Sequence, residues 1–335
     1  MSTNAVPAAP RFPPALRVLE RGWVSSNNIV FLGRDEAAVV DTGYVRHAAQ
    51  TVALVQHLLA GRPLARIVNT HTHSDHIGGN AALRRAYPQA TITIPAGDSE
   101  FIRAWDQAAL HLTTMGQECE RFMFDATFAR DDTLTLGDLP WRVVASPGHH
   151  MASLMLYCAE EAILISADAL WQNGFGVMFP EIDGDPVSQG EAFAAQRATL
   201  ESIAALTVRA VIPGHGAPFA DVGAALERAF GRLAYFETHP ERHARNGLKV
   251  ALSFLLMIEG RIGLASLPAR LAALPLAVRI NQDHYQLDAA QLADFVIAEL
   301  EKGGAAHRAD GWLVSGKNPG IDAGTLPDKQ QAATF

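Results

Sequence analysis

The sequence is short of cysteine, has no long apolar run and carries no basic excess. Only Cys119 and Cys158 occur in 335 residues. Two scattered thiols do not make a disulfide framework and suit a reducing compartment. The longest strongly apolar stretch, Val250 to Ile258, falls far below the roughly 20 residues a membrane helix needs. The Pro- and Ala-rich N-terminus lacks the basic start and apolar core of a signal peptide. A cytoplasmic protein with no membrane partner is therefore expected. Lys and Arg number 27 against 35 Asp and Glu, a formal charge of −8, which counts against a chain that grips nucleic-acid backbone.

Apolar residues make up 49% of the chain and charged ones 19%, enough to fill a core. Short apolar runs at 28–32 and 37–40 flank a Gly-containing turn and read as a hairpin. Helical spacing follows over 45–59, then a strand at 66–70, a short helix over 77–87 and a strand at 90–94. Residues 98–124 read as helical and aromatic. Four further short strands are expected at 133–136, 141–144, 154–157 and 162–165, then a helix over 188–206 and a strand at 210–212. Interleaved strands and helices indicate an α/β fold with helices covering sheets. Beyond residue 220 the composition turns Ala/Leu/Glu/Arg-rich and helical. Asp310-Gly311 marks a closing hairpin between 305 and 315.

The 13 histidines are the chemical lead. His71-Thr72-His73-Ser74-Asp75-His76 places four metal-competent side chains within six residues, directly after a strand. Imidazole suits zinc and similar metals, and a carboxylate adds a harder ligand. His149 follows the strand at 141–144 through Ser146-Pro147-Gly148. Asp168 follows the strand at 162–165, and His215 follows the one at 210–212 through Pro213-Gly214. Strand ends are rigid platforms from which sites are built. A scattered set of core histidines has no reason to repeat that placement.

These residues resemble the metallo-β-lactamase-fold hydrolase superfamily, in particular its glyoxalase II-like branch. The resemblance spans about residues 20 to 220 and rests on Asp41-Thr42-Gly43, His71 to His76, Pro147-Gly148-His149 with Ser153, Asp168, and Gly214-His215-Gly216. It implies an αββα sandwich with a two-metal site on one edge. His71, His73 and His149 would hold one ion, and Asp75, His76 and His215 the other, with Asp168 bridging. Ala167 stands where the family usually has Gly, and His150-Met151-Ala152 replaces a more usual Thr-x-Gly. With no cysteine at a ligand position, the zinc–thiolate β-lactamases fit poorly. The resulting expectation is a flexible leader (1–15), a catalytic domain (16–220), a small helical, winged-helix-like domain (221–315) and a flexible tail (316–335).

The expected chemistry is hydrolysis of an ester, thioester or lactone by hydroxide held between two divalent ions, zinc first, with iron and manganese as alternatives. Asp75 and Asp168 are the expected catalytic carboxylates. Two such ions, less two carboxylates and a hydroxide, leave about one positive charge for a developing oxyanion. Asp41 divides evenly between bracing a ligand and merely ending a strand. His150 is a candidate donor behind the ligands. His47, His57, His111, His239, His243, His284 and His307 are taken as solvated or capping. Aromatics at 105, 122, 124, 171, 175 and 179 suggest a small acyl-type substrate. Alternatives are a phosphodiesterase or ribonuclease of the same fold, and an iron-dependent sulfur dioxygenase. The C-terminal helices could serve homodimerisation, pocket closure or nucleic-acid contact.

Overall fold

The computed structural model describes residues 10–179 and 186–316. Most of the expected leader and tail, and residues 180–185, lie outside the described residues. Strands β1 (Leu16–Leu19), β2 (Asn28–Leu32), β3 (Ala37–Val40), β4 (Leu64–Val68), β5 (Thr91–Pro95) and β6 (Ala126–Phe128) form one sheet in that order. Strands β7 (Thr133–Leu136), β8 (Leu139–Ala145), β9 (Leu154–Cys158), β10 (Ile163–Ala167) and β11 (Ala210–Pro213) form a second, in the order β11-β10-β9-β8-β7. The first sheet is antiparallel through β3 and parallel from there to β6; in the second, only β10 and β11 run parallel.

Side-chain alternation explains how the layers stack. In β9, Leu154, Leu156 and Cys158 face one core while Met155 and Tyr157 face another. In β2, Ile29 and Phe31 join the first of these cores, and Val30 points the opposite way. Residues of period two thus divide between a core shared by both sheets and two outer cores under helices. Trp141 fills the shared core and donates its Nε1–H to Leu136 O at 3.1 Å. Each large side chain buried there contributes about 1.5–3 kcal/mol.

Helices α1 (Ala48–Leu59), α2 (Ser74–Ile77), α3 (Asn80–Ala86), α4 (Ser99–Ala104) and α5 (Leu112–Met115) lie in the first half of the chain. α1 and α3, with residues of α4 and α5, cover the first sheet. α6 (Pro186–Ala204) and α7 (Val222–Thr238) cover the second. The architecture is the αββα sandwich. A separate cluster gathers residues of α8 (Pro240–Glu259), α9 (Leu267–Ala272), α10 (Pro275–Ile280) and α11 (Ala289–Lys302). Beside them β12 (Arg261–Gly263), β13 (Ala306–Ala309) and β14 (Trp312–Ser315) make a small antiparallel sheet that contains the expected hairpin.

The stretch 98–124 differs from its helical expectation. Left-handed backbone at Trp105, His111 and Gly116 cuts it into α4 and α5. From Gln117 onward tertiary bonds hold it irregular: Ser74 Oγ donates to Gln117 Oε1 at 2.6 Å, and Glu118 N donates to Tyr44 OH at 3.0 Å.

Candidate metal centre

Five strands deliver the site at their C-terminal ends: β3 leads to Asp41, β4 to His71, β8 to His149, β10 to Asp168 and β11 to His215. α2 starts directly after His73 and carries Asp75 and His76. Three donors fix the carbonyl of His76: Thr42 N at 2.8 Å, Thr42 Oγ1 at 3.0 Å and Asn69 Nδ2 at 3.0 Å. Across the sandwich edge, Asn27 N bonds Gly214 O at 2.6 Å, and Asn27 Nδ2 bonds Pro213 O at 2.9 Å and Gly216 O at 2.8 Å. The loop before β2 therefore ties one sheet's site loop to the other's. Asn27 carries no motif signal that would mark it in the sequence.

The seven anticipated side chains come together. His71 Nε2 lies 3.1 Å from His73 Nδ1, which lies 2.9 Å from His149 Nε2. His215 Nε2 is 3.0 Å from Asp75 Oδ2. Asp168 Oδ2 sits between the two groups, 3.4 Å from His149 Nε2, 3.5 Å from His76 Nε2 and 3.7 Å from His215 Nε2. Three sets have ligand atoms close enough to share an ion: His71, His73, His149; His71, His76, Asp168; and Asp75, His76, His215.

The arrangement fits divalent cations. Zn–N bonds of about 2.0–2.1 Å at tetrahedral angles separate two nitrogens by about 3.3 Å, close to the spacings of the first set. His76 Nε2 is buried with no hydrogen-bond partner, beside two carboxylates. His76 Nδ1 faces Asp41 Oδ2 at 2.8 Å, and His149 Nδ1 faces Val177 O at 2.6 Å. Both rings must donate there, so their Nε2 lone pairs turn inward. Asp41 also accepts from Thr70 N at 2.9 Å and Thr70 Oγ1 at 2.8 Å, and Thr70 Oγ1 lies 3.1 Å from His71 Nδ1. Asp41 is thus a brace for two imidazoles.

Electrostatics divide the histidines. Burial, reinforced by neighbouring imidazoles, holds His71 and His73 well below the ordinary histidine range. Burial also opposes the cation of His76, yet Asp41, Asp168 and Asp75 together raise it well above that range. Burial works against the Asp168 carboxylate too, but His215, His76 and His149 bring it below its usual value. His71 and His73 are thus neutral beside the ionised Asp168, as metal ligation requires, whereas His76 has to yield its proton to an incoming cation.

Close backbone approach explains two glycines. A Cβ on Gly214 would collide with Asp168 Oδ1, and one on Gly176 would lie 2.6 Å from His149 Nδ1. Ala167 takes φ 47° and Asp41 φ 58°, the left-handed region that glycine enters without steric cost. That is the backbone reason for a glycine before the bridging Asp; here an alanine accepts the strain.

Behind the first set, His150 Nε2 lies 3.7 Å from Asp98 Oδ2, and Thr72 Oγ1 donates to Asp98 at 2.8 Å. His111 stands against His73 and His150, with ring centroids 5.8 and 6.2 Å away. It belongs to this cluster and is not the solvated residue expected. His243 is likewise buried, between Phe193 and Phe236.

A cavity of about 520 Å³ opens on the site. It is lined by Trp23, Met115, Trp171, Val177, Phe179, Val250, Phe254 and Met257 together with His73, Asp75, His149, Asp168 and His215. Trp171 and Phe179 match the aromatic wall anticipated. Trp105, Phe122 and Phe124 do not: they pack in the core outside the first sheet, and Phe175 is buried under α7. The far wall comes from α8, which sequence spacing could not place. Trp171 Nε1 donates to Asp168 Oδ1 at 3.1 Å, and Trp23 stacks on His215 with ring centroids 5.8 Å apart.

The sequence model of the Metallo-beta-lactamase superfamily matches residues 21–215. The chain belongs to that superfamily. Among curated relatives it is 28% identical over 160 residues to a hydroxyacylglutathione hydrolase of Rhodospirillum rubrum, covering 47% of this chain and 53% of that one. It is 32% identical over 157 residues to a hydroxyacylglutathione hydrolase of Gloeobacter violaceus, covering 46% and 53%. The chain spans about half the length of these curated relatives. A solved metallo-beta-lactamase family protein of Thermus thermophilus superposes with TM-score 0.55 at 20% identity, over 90% of this chain and 99% of that one. The B3 metallo-beta-lactamase BLEG-1 superposes with TM-score 0.51 at 23% identity, over 63% and 96%. Both share the fold. Among the described residues, no helix is long and apolar enough to cross a membrane.

Proposed function

We propose that this superfamily member is a metal-dependent hydrolase that cleaves a thioester, ester or lactone bond in a small acyl-type substrate. His71, His73 and His149 would hold one divalent ion and Asp75, His76 and His215 the other, with Asp168 between them and zinc the first candidate. The single observation that carries the proposal is the position of Asp168 Oδ2, within 3.4–3.7 Å of histidines from both sets. Bound there, the ions supply Lewis-acid polarisation of a carbonyl and bring the pKa of water to about 7.

The chain's own residues do the rest. Asp41 and Val177 O fix the tautomers of His76 and His149. Trp171 occupies Asp168 Oδ1 and leaves Oδ2 to the histidines. Trp23 and Trp171 flank His215 and narrow the approach to it. Val250, Phe254, Met257 and Phe179 offer an apolar surface to an acyl chain and exclude water around it. A phosphodiester would need a basic groove; apart from histidines, Arg232 is the one basic side chain among the described residues of this wall.

The test is a panel of thioesters, lactones, β-lactams and phosphodiesters offered to purified protein whose metal content is measured. Turnover of thioesters or lactones with close to two ions per chain is expected. A single iron with oxygen consumption overturns the proposal in favour of a dioxygenase, and selective phosphodiester cleavage overturns it in favour of a nuclease.

A further inference from the structure

The cavity contains a cation for which hydrolysis gives no role. Arg232, on α7, lines the same hollow as His73, Asp75, His149, Asp168 and His215. Its guanidinium lies over Phe175 at 5.4 Å and Phe236 at 5.3 Å from the ring centroids. Among the described residues it has no hydrogen-bond or ion-pair partner. Burial lowers its pKa. Other partly buried arginines are satisfied: Arg66 pairs with Glu36 at 2.6 Å, and Arg245 with Glu299 at 3.3 Å.

Aromatic rings satisfy the faces of a guanidinium but not the N–H donors in its plane. Among the described residues the cavity's two carboxylates are already engaged, Asp75 with His215 and Asp168 with Trp171 and the histidines. The loop that follows Asp168 runs beside the guanidinium: a Cβ on Gly174, where φ is 133°, would meet Arg232 Nη1 at 3.0 Å. The charge is therefore held in place from two sides, and among the described residues nothing takes its in-plane donors. A half-buried cation without a counter-ion is costly, and an incoming anion relieves that cost.

We propose that Arg232 determines the specificity of this cavity by taking a carboxylate carried by the substrate. The substrate class is then an apolar acyl compound bearing one anionic group, on either the acyl side or the leaving-group side of the scissile bond. This rests on the hydrolase reading only in calling the ligand a substrate. Charge-assisted bonds to a guanidinium are about twice as strong as neutral ones and fit a carboxylate fork to fork. The expected preference is at least about ten-fold.

The probes are N-acetylcysteamine thioesters of succinate and of 4-methylpentanoate, which share a shape and differ in charge. A 4-methylpentanoyl thioester of 3-mercaptopropionate moves the carboxylate to the leaving side. In the wild-type protein one carboxylate thioester should show the lower KM, and which one assigns the side. Arg232→Gln should raise that KM about ten-fold or more and leave kcat for the neutral thioester within about two-fold. Arg232→Lys should recover part of the preference. A second readout needs no turnover: quenching of Trp23 and Trp171 fluorescence by the same thioesters in chelator-treated protein. There Arg232→Gln should weaken the carboxylate ligand about ten-fold and the neutral one hardly at all. An unchanged carboxylate-to-neutral ratio overturns the proposal and leaves Arg232 a stacking residue. Because the binding ratio is measurable even if no thioester is hydrolysed, failure of the hydrolase reading is a separate result. Should Arg232→Gln not fold, the ratio in Arg232→Lys decides: no change from wild type overturns the proposal.

Discussion

Asp41 Oδ2 lies 2.8 Å from His76 Nδ1, and neither side chain is more than 1% exposed. The contact joins the end of β3 to α2, the short helix that follows β4, so the strand pairing of the first sheet also helps to aim this imidazole.

Asp41→Asn keeps a residue that tolerates left-handed backbone and removes the charge that accepts from His76 and Thr70. Zinc affinity should fall about 10–100-fold, as for other residues that orient metal ligands. Competition with a chromophoric chelator measures it. Unchanged affinity would return Asp41 to the status of a strand-end turn residue.

Asp168→Asn preserves shape and the bond from Trp171 but withdraws the anion shared by both histidine sets. We expect one ion per chain in place of two, and activity reduced by about 10³-fold or more, because a bridging carboxylate both spaces the ions and balances their charge. Elemental analysis of the purified variant, paired with thioester turnover, decides the point. Retention of two tightly held ions defeats the bridging role.

Gly214→Ala introduces a methyl group where Asp168 Oδ1 already lies. Overpacking of this kind typically costs about 1–3 kcal/mol. Urea unfolding should show that loss, and metal content should fall with it because Asp168 has to move. A variant that keeps wild-type stability and both ions would mean that the β11 loop yields to the added methyl without disturbing Asp168.

His243 supplies a pH signature away from the ligands. Burial, helped by Arg232 and His284, pushes its imidazole down to about 4, against a weaker opposing bond from the backbone of Met178. The folded state thus keeps it neutral while the unfolded chain takes a proton below about 6.5. Its contribution is fully present above pH 6.5 and is lost as pH falls towards 4, up to about 3 kcal/mol. In chelator-treated protein, His243→Gln should flatten the fall in unfolding free energy between those values. An identical slope in variant and wild type refutes the assignment.

Much of the site is legible in sequence because metal ligation demands particular side chains, and strand ends are recognisable from short apolar runs. His71, His149, Asp168 and His215 all fall in that category. Asp41 is evenly balanced in sequence because its role depends on a partner 35 positions away, visible only once β3 and β4 pair. The cavity wall is less legible. Val250, Phe254 and Met257 look like any helix core, and nothing local says that their side of α8 borders the strand ends. His150 is singled out by standing next to His149, whereas His111 lies beside the ligands without a spacing that reveals it. The helical reading of 98–124 fails because left-handed backbone at Trp105, His111 and Gly116 interrupts it and because Gln117 and Glu118 bond to Ser74 and Tyr44.

The groups assigned to chemistry stand on strand termini, whereas the far side of the hollow is supplied by a helix some 25 or more residues further along the chain. Two kinds of evolutionary change are thereby uncoupled. Replacements along α8 would reshape the wall of the hollow without disturbing the side chains gathered at the strand ends, so one can drift while the other is held.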